Sequence, residues 1–359
     1  MERTTVNKFL TNTCLALSLL ISNSYTVTFA QSTKGTSSAA EIGLYEGENR
    51  MLRLIEGAKK EGELTWYESA PVEDVSAVID AFTKKYGVKV NLWRSSSENV
   101  LQRIVNEARG GRFEVDIVEN NAPEMEALHR ERLLQQVKSP YLDDLIPQAI
   151  PAHKEWVGTT IDIFTQAYNT EKVKKEELPK TYQDLLDPKW KGRLGIEAED
   201  YGWFATLTQE LGGEKGIKLF KDIIDTNGIS VRKGHTLLTN LIASGEVPLG
   251  LTVYNYKPEQ LKQKGAAIDS FFIAPAIAQF RSAAVLKKAP HPHAAVLFYD
   301  FLLNEARPIL FKKGFVTTSK KFEGPLNKLP LKFIDPVAAL DMQDKWLKVY
   351  EEIVTKKAK

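Results

Sequence analysis

The sequence predicts an α/β fold in two lobes, on three observations. Short β-rich runs alternate with amphipathic helical spacings from Glu63, and a second such alternation starts at Leu194. A long β-type stretch over 156–168 lies between them. The chain has 359 residues, more than a single core usually holds.

The elements follow in order. Residues 64–67 (LTWY) read as a strand, and Val75, Val78, Ile79 and Phe82 form one apolar helix face that Gly87 ends. Residues 88–93 make the next strand. Leu101, Ile104, Val105 and Ala108 repeat the helical spacing up to Gly110-Gly111, and 115–118 is a third strand. Such strand–helix–strand units imply parallel strands and right-handed crossovers. In the second region, strands fit 194–197, 229–231, 248–254 and 270–273, and helices fit 202–212 and 214–226. A strand at 282–286, a helix at 292–303 and a closing helix over 336–354 complete the reading. No internal repeat is visible.

The first thirty residues read as an export signal. Arg3 and Lys8 precede the apolar run 14–21 (CLALSLLI), and Thr28-Phe29-Ala30 offers small residues for cleavage. That run is shorter than the roughly 20 residues a membrane span needs. Residues 31–41 are small and polar, a flexible leader. The one cysteine, Cys14, lies at the front of the apolar run, so the mature chain from about Gln31 is expected to lack disulfides and thiolate chemistry. Export without disulfides fits a periplasm.

Charge narrows the partners. Subtracting Arg3, Lys8 and Glu2 from the 48 basic and 46 acidic residues leaves 46 and 45. So even a balance argues against nucleic acid or a polybasic membrane contact. No nucleophile elbow, P-loop, dinucleotide glycine pattern or HExxH occurs.

Ligands of open α/β sheets bind beyond the carboxyl ends of the strands. The loops there supply Tyr67, Glu68, Ser69, Ser95, Ser96, Ser97, Glu119 and Asn120 in the first lobe. The second lobe supplies Glu197, Tyr201, Gly234, His235, Thr236, Tyr254, Tyr256 and Lys257, and Arg281 lies near the junction. The serine triplet and Gly234-His235-Thr236 each precede a helix, so both suit an anion, although ordinary N-capping explains each alone. The tyrosines with Glu68 or Glu197 offer hard ligands for iron(III), against the bland reading of Tyr as a strand and rim residue. His291-Pro292-His293 has metal-like spacing, but Pro292 at a helix start favours a structural role. Glu197, Glu199, Asp200 and His235 as acid–base machinery is the outlying alternative.

Four pieces carry a family resemblance: Tyr168-Asn169-Thr170, the run 178–192 (LPKTYQDLLDPKWKG), 244–248 (SGEVP), and 288–295 (KAPHPHAA) leading into 298–302 (FYDFL). With them the chain resembles type II periplasmic solute-binding proteins of ABC importers, in the ferric-ion-binding group. The resemblance implies two lobes joined by paired crossing strands and a solute passed to a membrane permease and its ATPase. The implied boundaries are a signal at 1–30, a leader at 31–41, lobe 1 at 42–165, lobe 2 at 166–278, and a return to lobe 1 with C-terminal helices at 279–359. Ferric members carry adjacent tyrosines after the strand that ends here at Tyr254. This chain has Tyr254-Asn255-Tyr256-Lys257, so Tyr256 takes one tyrosine position and Lys257 the other. Where many ferric members place a first-lobe histidine, it has Glu68-Ser69.

The expected function is thus a monomeric, non-enzymatic periplasmic receptor without a resident cofactor. Its cargo is either iron(III), held by Tyr256 and Glu197 with or without a bound anion, or a small organic or phosphorus-containing anion. A sensor that presents the same clamp to a receptor kinase or chemoreceptor, and an exported enzyme on this fold, are the alternatives.

Overall fold

The structure, a computed structural model, describes residues 38–357; the expected export signal lies outside them. The described chain begins with α1 (Ala39–Gly43), inside the stretch expected to be a flexible leader. Ser38 and Glu41 close a reciprocal capping box there, and Ala39 and Ile42 are buried, so these residues are held in place.

The first lobe continues with α2 (Arg50–Glu61), β1 (Glu63–Glu68), α3 (Val72–Tyr86), β2 (Lys89–Arg94), α4 (Ser97–Arg109), β3 (Ile117–Asn121), α5 (Ala122–Arg130) and β4 (Leu134–Gln135). Both α2 and α3 stop at a glycine in the left-handed region, Gly62 and Gly87, where a side chain would be strained. β1 pairs in parallel with β2 and β3, as the alternation requires.

β5 (Val157–Asn169) then changes sheets along its length. Ile161 and Ile163 pair with the first-lobe sheet, and Phe164 to Asn169 pair with the second. The second lobe contains β6 (Leu194–Glu197), α6 (Tyr201–Glu210), α7 (Glu214–Asn227), β7 (Ser230–Arg232), α8 (His235–Ala243), β8 (Leu249–Tyr254), α9 (Tyr256–Gln263) and β9 (Ile268–Phe271). β6 is parallel to β7 and β8, while β5 runs antiparallel to β8 and β9. The chain returns through β10 (Ala276–Leu286), antiparallel to both β3 and β5. α10 (Pro292–Leu303), α11 (Ala306–Lys312), β11 (Val316–Thr317) and β12 (Leu331–Phe333) follow.

The closing helix expected over 336–354 is two helices, α12 (Pro336–Asp341) and α13 (Gln343–Ile353), broken at Met342. They do not both return to the first lobe. α12 lies against α5, where Asp341 pairs with Arg130 at 2.5 Å. α13 packs on α6 instead, with Trp346 and Tyr350 edge-on to Phe204 and the Tyr350 hydroxyl donating to the Glu197 carbonyl at 2.5 Å. The C-terminal pair therefore spans both lobes.

Each lobe has its own aromatic core. Trp66, Phe82, Phe298 and Phe301 interlock edge-on in the first. Trp203 and Phe204 meet Phe220 edge-on in the second, with Tyr182 edge-on to Trp203 and tilted against Phe220. The run 178–192 is scaffold for that second core. Tyr182, Leu185 and Trp190 are buried, Asp184 caps the turn at Lys180 and Thr181, and Asn227 donates to the Leu185 and Asp187 carbonyls. His291 and His293 are structural as expected. His291 pairs with Asp116 at 2.9 Å, and Glu61 accepts from the His293 and Ala294 amides at the start of α10.

Candidate functional site

The carboxyl ends of β1, β2, β3, β6 and β8 open on one cleft of about 580 Å³, lined by both lobes and by the C-terminal helices. That volume lies within the range of small-molecule sites.

Twelve of the seventeen sequence candidates line it: Ser69, Ser96, Ser97, Glu197, Tyr201, Gly234, His235, Thr236, Tyr254, Tyr256, Lys257 and Arg281. The other five do not. Strand residues alternate between faces, so Tyr67 turns away from the cleft beneath α4, packs at a tilt against Trp93 and donates to Glu107 at 2.9 Å. Ser95 faces a separate hollow beside Trp93 and Asn99. Glu68 and Glu119 are buried beneath the floor, where Glu68 pairs with Arg281 and Glu119 accepts from Thr159. Asn120 is buried and donates to the Ser97 carbonyl at 2.9 Å.

Arg281 forms the base of the cleft. It sits on β10 where that strand pairs with Asn121 of β3 and Thr160 of β5, so the junction of the lobes fixes it. It is 5% exposed. Its Nη1 serves Glu68 and, at 3.2 Å, Ser69; Nη2 is 3.7 Å from Asp162, beyond hydrogen-bonding distance, and Nε has no partner. Burial, then the nearby Glu119, raises the Glu68 carboxyl well above the usual range, and burial raises Asp162. Two buried carboxyls, Glu68 and Asp162, thus share one guanidinium, and burial disfavours the charged form of each.

Tyr254 and Tyr256 flank this base. The Tyr254 hydroxyl accepts from Gln279 at 2.9 Å, and Tyr256 stacks on Phe315 at 4.0 Å. Burial first, then the Asp162 carboxylate, pushes both phenols well above 10. Cations stand beside both. The His235 ring lies 3.9 Å from that of Tyr254, and Lys257 Nζ, tied to Asp74 at 2.6 Å, lies 5.5 Å from the Tyr256 ring. Burial opposes charge on His235, but Asp200 at 3.3 Å and then Glu197 outweigh it and push the imidazole up to about 9.

The two loops expected as anion cups behave differently from each other. Ser96 accepts from the Asn99 amide as a plain N-cap, which leaves Ser97 and the start of α4 facing the cleft. In the second lobe the cup is filled from inside, because Glu197 takes the amides of Gly234 at 2.8 Å and Glu199 at 2.5 Å. Burial and then Asp200 push Glu197 up to about 7.

Several lining residues escaped the sequence reading. Arg94 ends β2, Glu98 and Glu124 start α4 and α5, Gln279 lies on the crossing strand, and Leu340 and Leu347 come from α12 and α13. Pro123 just after a strand end marks a helix start and hence Glu124. No local signal places the C-terminal leucines there.

Among the described residues, two groups bring three possible metal ligands within 4.8 Å of one another: Glu197, Asp200 and His235 in the cleft, and Glu126, His129 and His153 outside it. In the second group the His129 and His153 rings stack at 3.7 Å and 11°, so their lone pairs run side by side instead of converging.

Two lobes joined by a shared strand and a return strand, with a polar cleft at the junction, define a ligand clamp. The family model of bacterial extracellular solute-binding proteins matches residues 77–321. The chain belongs to that family. It is similar to the Fe(3+)-binding periplasmic protein of Serratia marcescens, 26% identical over 224 residues, covering 62% of this chain and 65% of that relative. Among solved structures it is similar to the periplasmic binding protein AfuA of Actinobacillus pleuropneumoniae with fructose-6-phosphate bound (TM-score 0.73, 25% identity, 82% of this chain and 99% of that one). It also shares the fold of iron-bound HitA from Pseudomonas aeruginosa (TM-score 0.70, 24% identity, 81% and 99% covered). The family comprises binding proteins, and among the described residues no helix is long and apolar enough to cross a membrane.

Proposed function

We propose that this chain is the periplasmic receptor of an ABC importer, a binding protein and not an enzyme, and that its cargo carries an anionic group. The observation that supports this most is the cation beside each tyrosine, with Arg281 at the base of the cleft. A trivalent metal ion there would meet an imidazolium, an ammonium and a guanidinium that already hold the carboxylates of Asp200, Asp74 and Glu68, whereas a carboxylate or phosphate would take the donors these pairs leave open. Arg281 Nη2, with Ser69 and Ser97, supplies the donors that would receive it. Closing the lobes over the anion supplies the differential affinity that a permease reads.

Iron(III) is the second reading. It is favoured by the convergence of Glu197, Asp200 and His235 beside Tyr254 and by the named cargo of the Serratia relative. In that reading Tyr256 and Glu197 would be ligands, and Tyr256 must lose a phenolic proton that burial holds firmly. A thermal-shift titration with ferric citrate, citrate, phosphate and fructose-6-phosphate separates the two, since a ligand of the folded state raises Tm with its concentration. An iron-free anion raising Tm supports the first reading; a shift that requires iron refutes it. A sensor role makes the same binding prediction and differs only in lacking permease and ATPase genes nearby.

A further inference from the structure

We infer that the cargo is an amphipathic organic acid: a carboxylate head at Arg281 and an apolar body, about an aromatic ring and a short chain in size, against the wall built by α12 and α13. This rests on the anionic reading above and adds the body that the anion carries.

The cleft has two chemically different sides. The base is charged, as described. The rest of the lining carries much of the hydrocarbon: Leu340 and Leu347 from the C-terminal helices, Leu101 from α4 and Leu237 from α8, with Tyr201 at the start of α6, interspersed with Glu98, Lys233 and Gln343. These side chains are not closed off in a core. Leu101, Leu340, Leu347 and Tyr201 are only part-buried, and Leu237 is 47% exposed. Apolar surface from four separate segments, turned onto one polar cavity, stays wetted unless an apolar group covers it. A bare ion or a small hydrophilic anion would leave that wall against water. A volume of about 580 Å³ also greatly exceeds what a carboxylate or phosphate alone fills.

Arg281 and the leucines line one cavity, and the C-terminal helices span both lobes through Asp341–Arg130 on one side and Tyr350–Glu197 on the other. A ligand body seated on it would therefore touch both lobes at once. Glu124, pushed up to about 7 mainly by burial, lines the same cleft and can donate a hydrogen bond while protonated.

The test is calorimetric titration of the exported chain with acetate, hexanoate, benzoate and 3-phenylpropionate, alongside phosphate, fructose-6-phosphate and ferric citrate. The expected result is 3-phenylpropionate binding at least tenfold more tightly than acetate, with a negative heat-capacity change. Leu340→Asn and Leu347→Asn, each checked for an unaltered melt, are expected to reduce that ratio fivefold or more. Equal binding of acetate and phenylpropionate overturns the apolar body and leaves the anionic receptor standing. Tighter binding of fructose-6-phosphate than of any carboxylate does the same. Iron-dependent binding, or no binding by any compound, overturns both.

Discussion

Replacing Arg281 with methionine keeps most of the side-chain volume but removes the guanidinium that pairs with Glu68 and lies 3.7 Å from Asp162. Both carboxyls are fully buried, and no solvent reaches them to compensate. Breaking a buried ion pair from one side costs about 3–5 kcal/mol. With an unfolding entropy near 2.1 cal/mol/K per residue over about 320 folded residues, that is a fall in Tm of about 4–8 °C. The loss has a defined pH dependence. Burial already raises Glu68 and Asp162 above their unfolded values, and the variant raises them further. The folded state then holds protons that the unfolded chain releases. Stability is thus greatest below the unfolded pKa near 4 and falls as pH rises through the folded values. The variant should be closest to wild type at pH 5 and furthest from it at pH 8, and Glu68→Gln added to Arg281→Met should recover more than half of the loss. Melting curves at the two pH values, with wild type and both variants, provide the check. An Arg281→Met protein within 1 °C of wild type at pH 8 would refute the buried-charge reasoning.

Three other outcomes are expected. Glu124→Gln should stabilise the protein by about 2–3 kcal/mol at pH 8 and change little at pH 4.5, because a carboxyl raised to about 7 loses its stabilisation as pH rises from 4.5 through 7; urea titrations at the two pH values read it. Gly57→Ala should cost about 1–3 kcal/mol, since its Cβ would lie 2.2 Å from the His293 ring and force α2 away from α10; a drop in the urea midpoint reports it. Tyr350→Phe should cost about 1–2 kcal/mol by leaving the buried Glu197 carbonyl unpaired, with faster amide exchange confined first to Gln343–Ile353.

What the sequence made legible was whatever is local and periodic. The strand at Glu63–Glu68 and the helix through Val75, Val78 and Phe82 follow from patterns that fit within one element. The site was legible at the level of loops, because the carboxyl ends of strands are found once the strands are. It was not legible at the level of single side chains. Tyr67 and Glu68 differ by one residue, so a strand sends them to opposite faces, and only the sheet decides which one meets the cleft. Gly234-His235-Thr236 looked like an open anion cup because sequence cannot show Glu197, 37 residues earlier, already occupying its Gly234 amide. The C-terminal wall was invisible for a similar reason. A break at Met342 sends α13 onto α6, and the partners that hold it, Phe204 and the Glu197 carbonyl, are far away in the chain.

The central claim, an anionic cargo held by Arg281 and not a ferric ion held by tyrosinate, is tested most directly by visible absorption during titration of the iron-stripped protein. Ferric ion and then an iron-free organic acid are added at pH 7, with calorimetry in parallel. The expected result is heat and saturation with the organic acid alone and no phenolate-to-iron band. A stoichiometric visible band that needs iron and disappears in Tyr256→Phe would contradict the account.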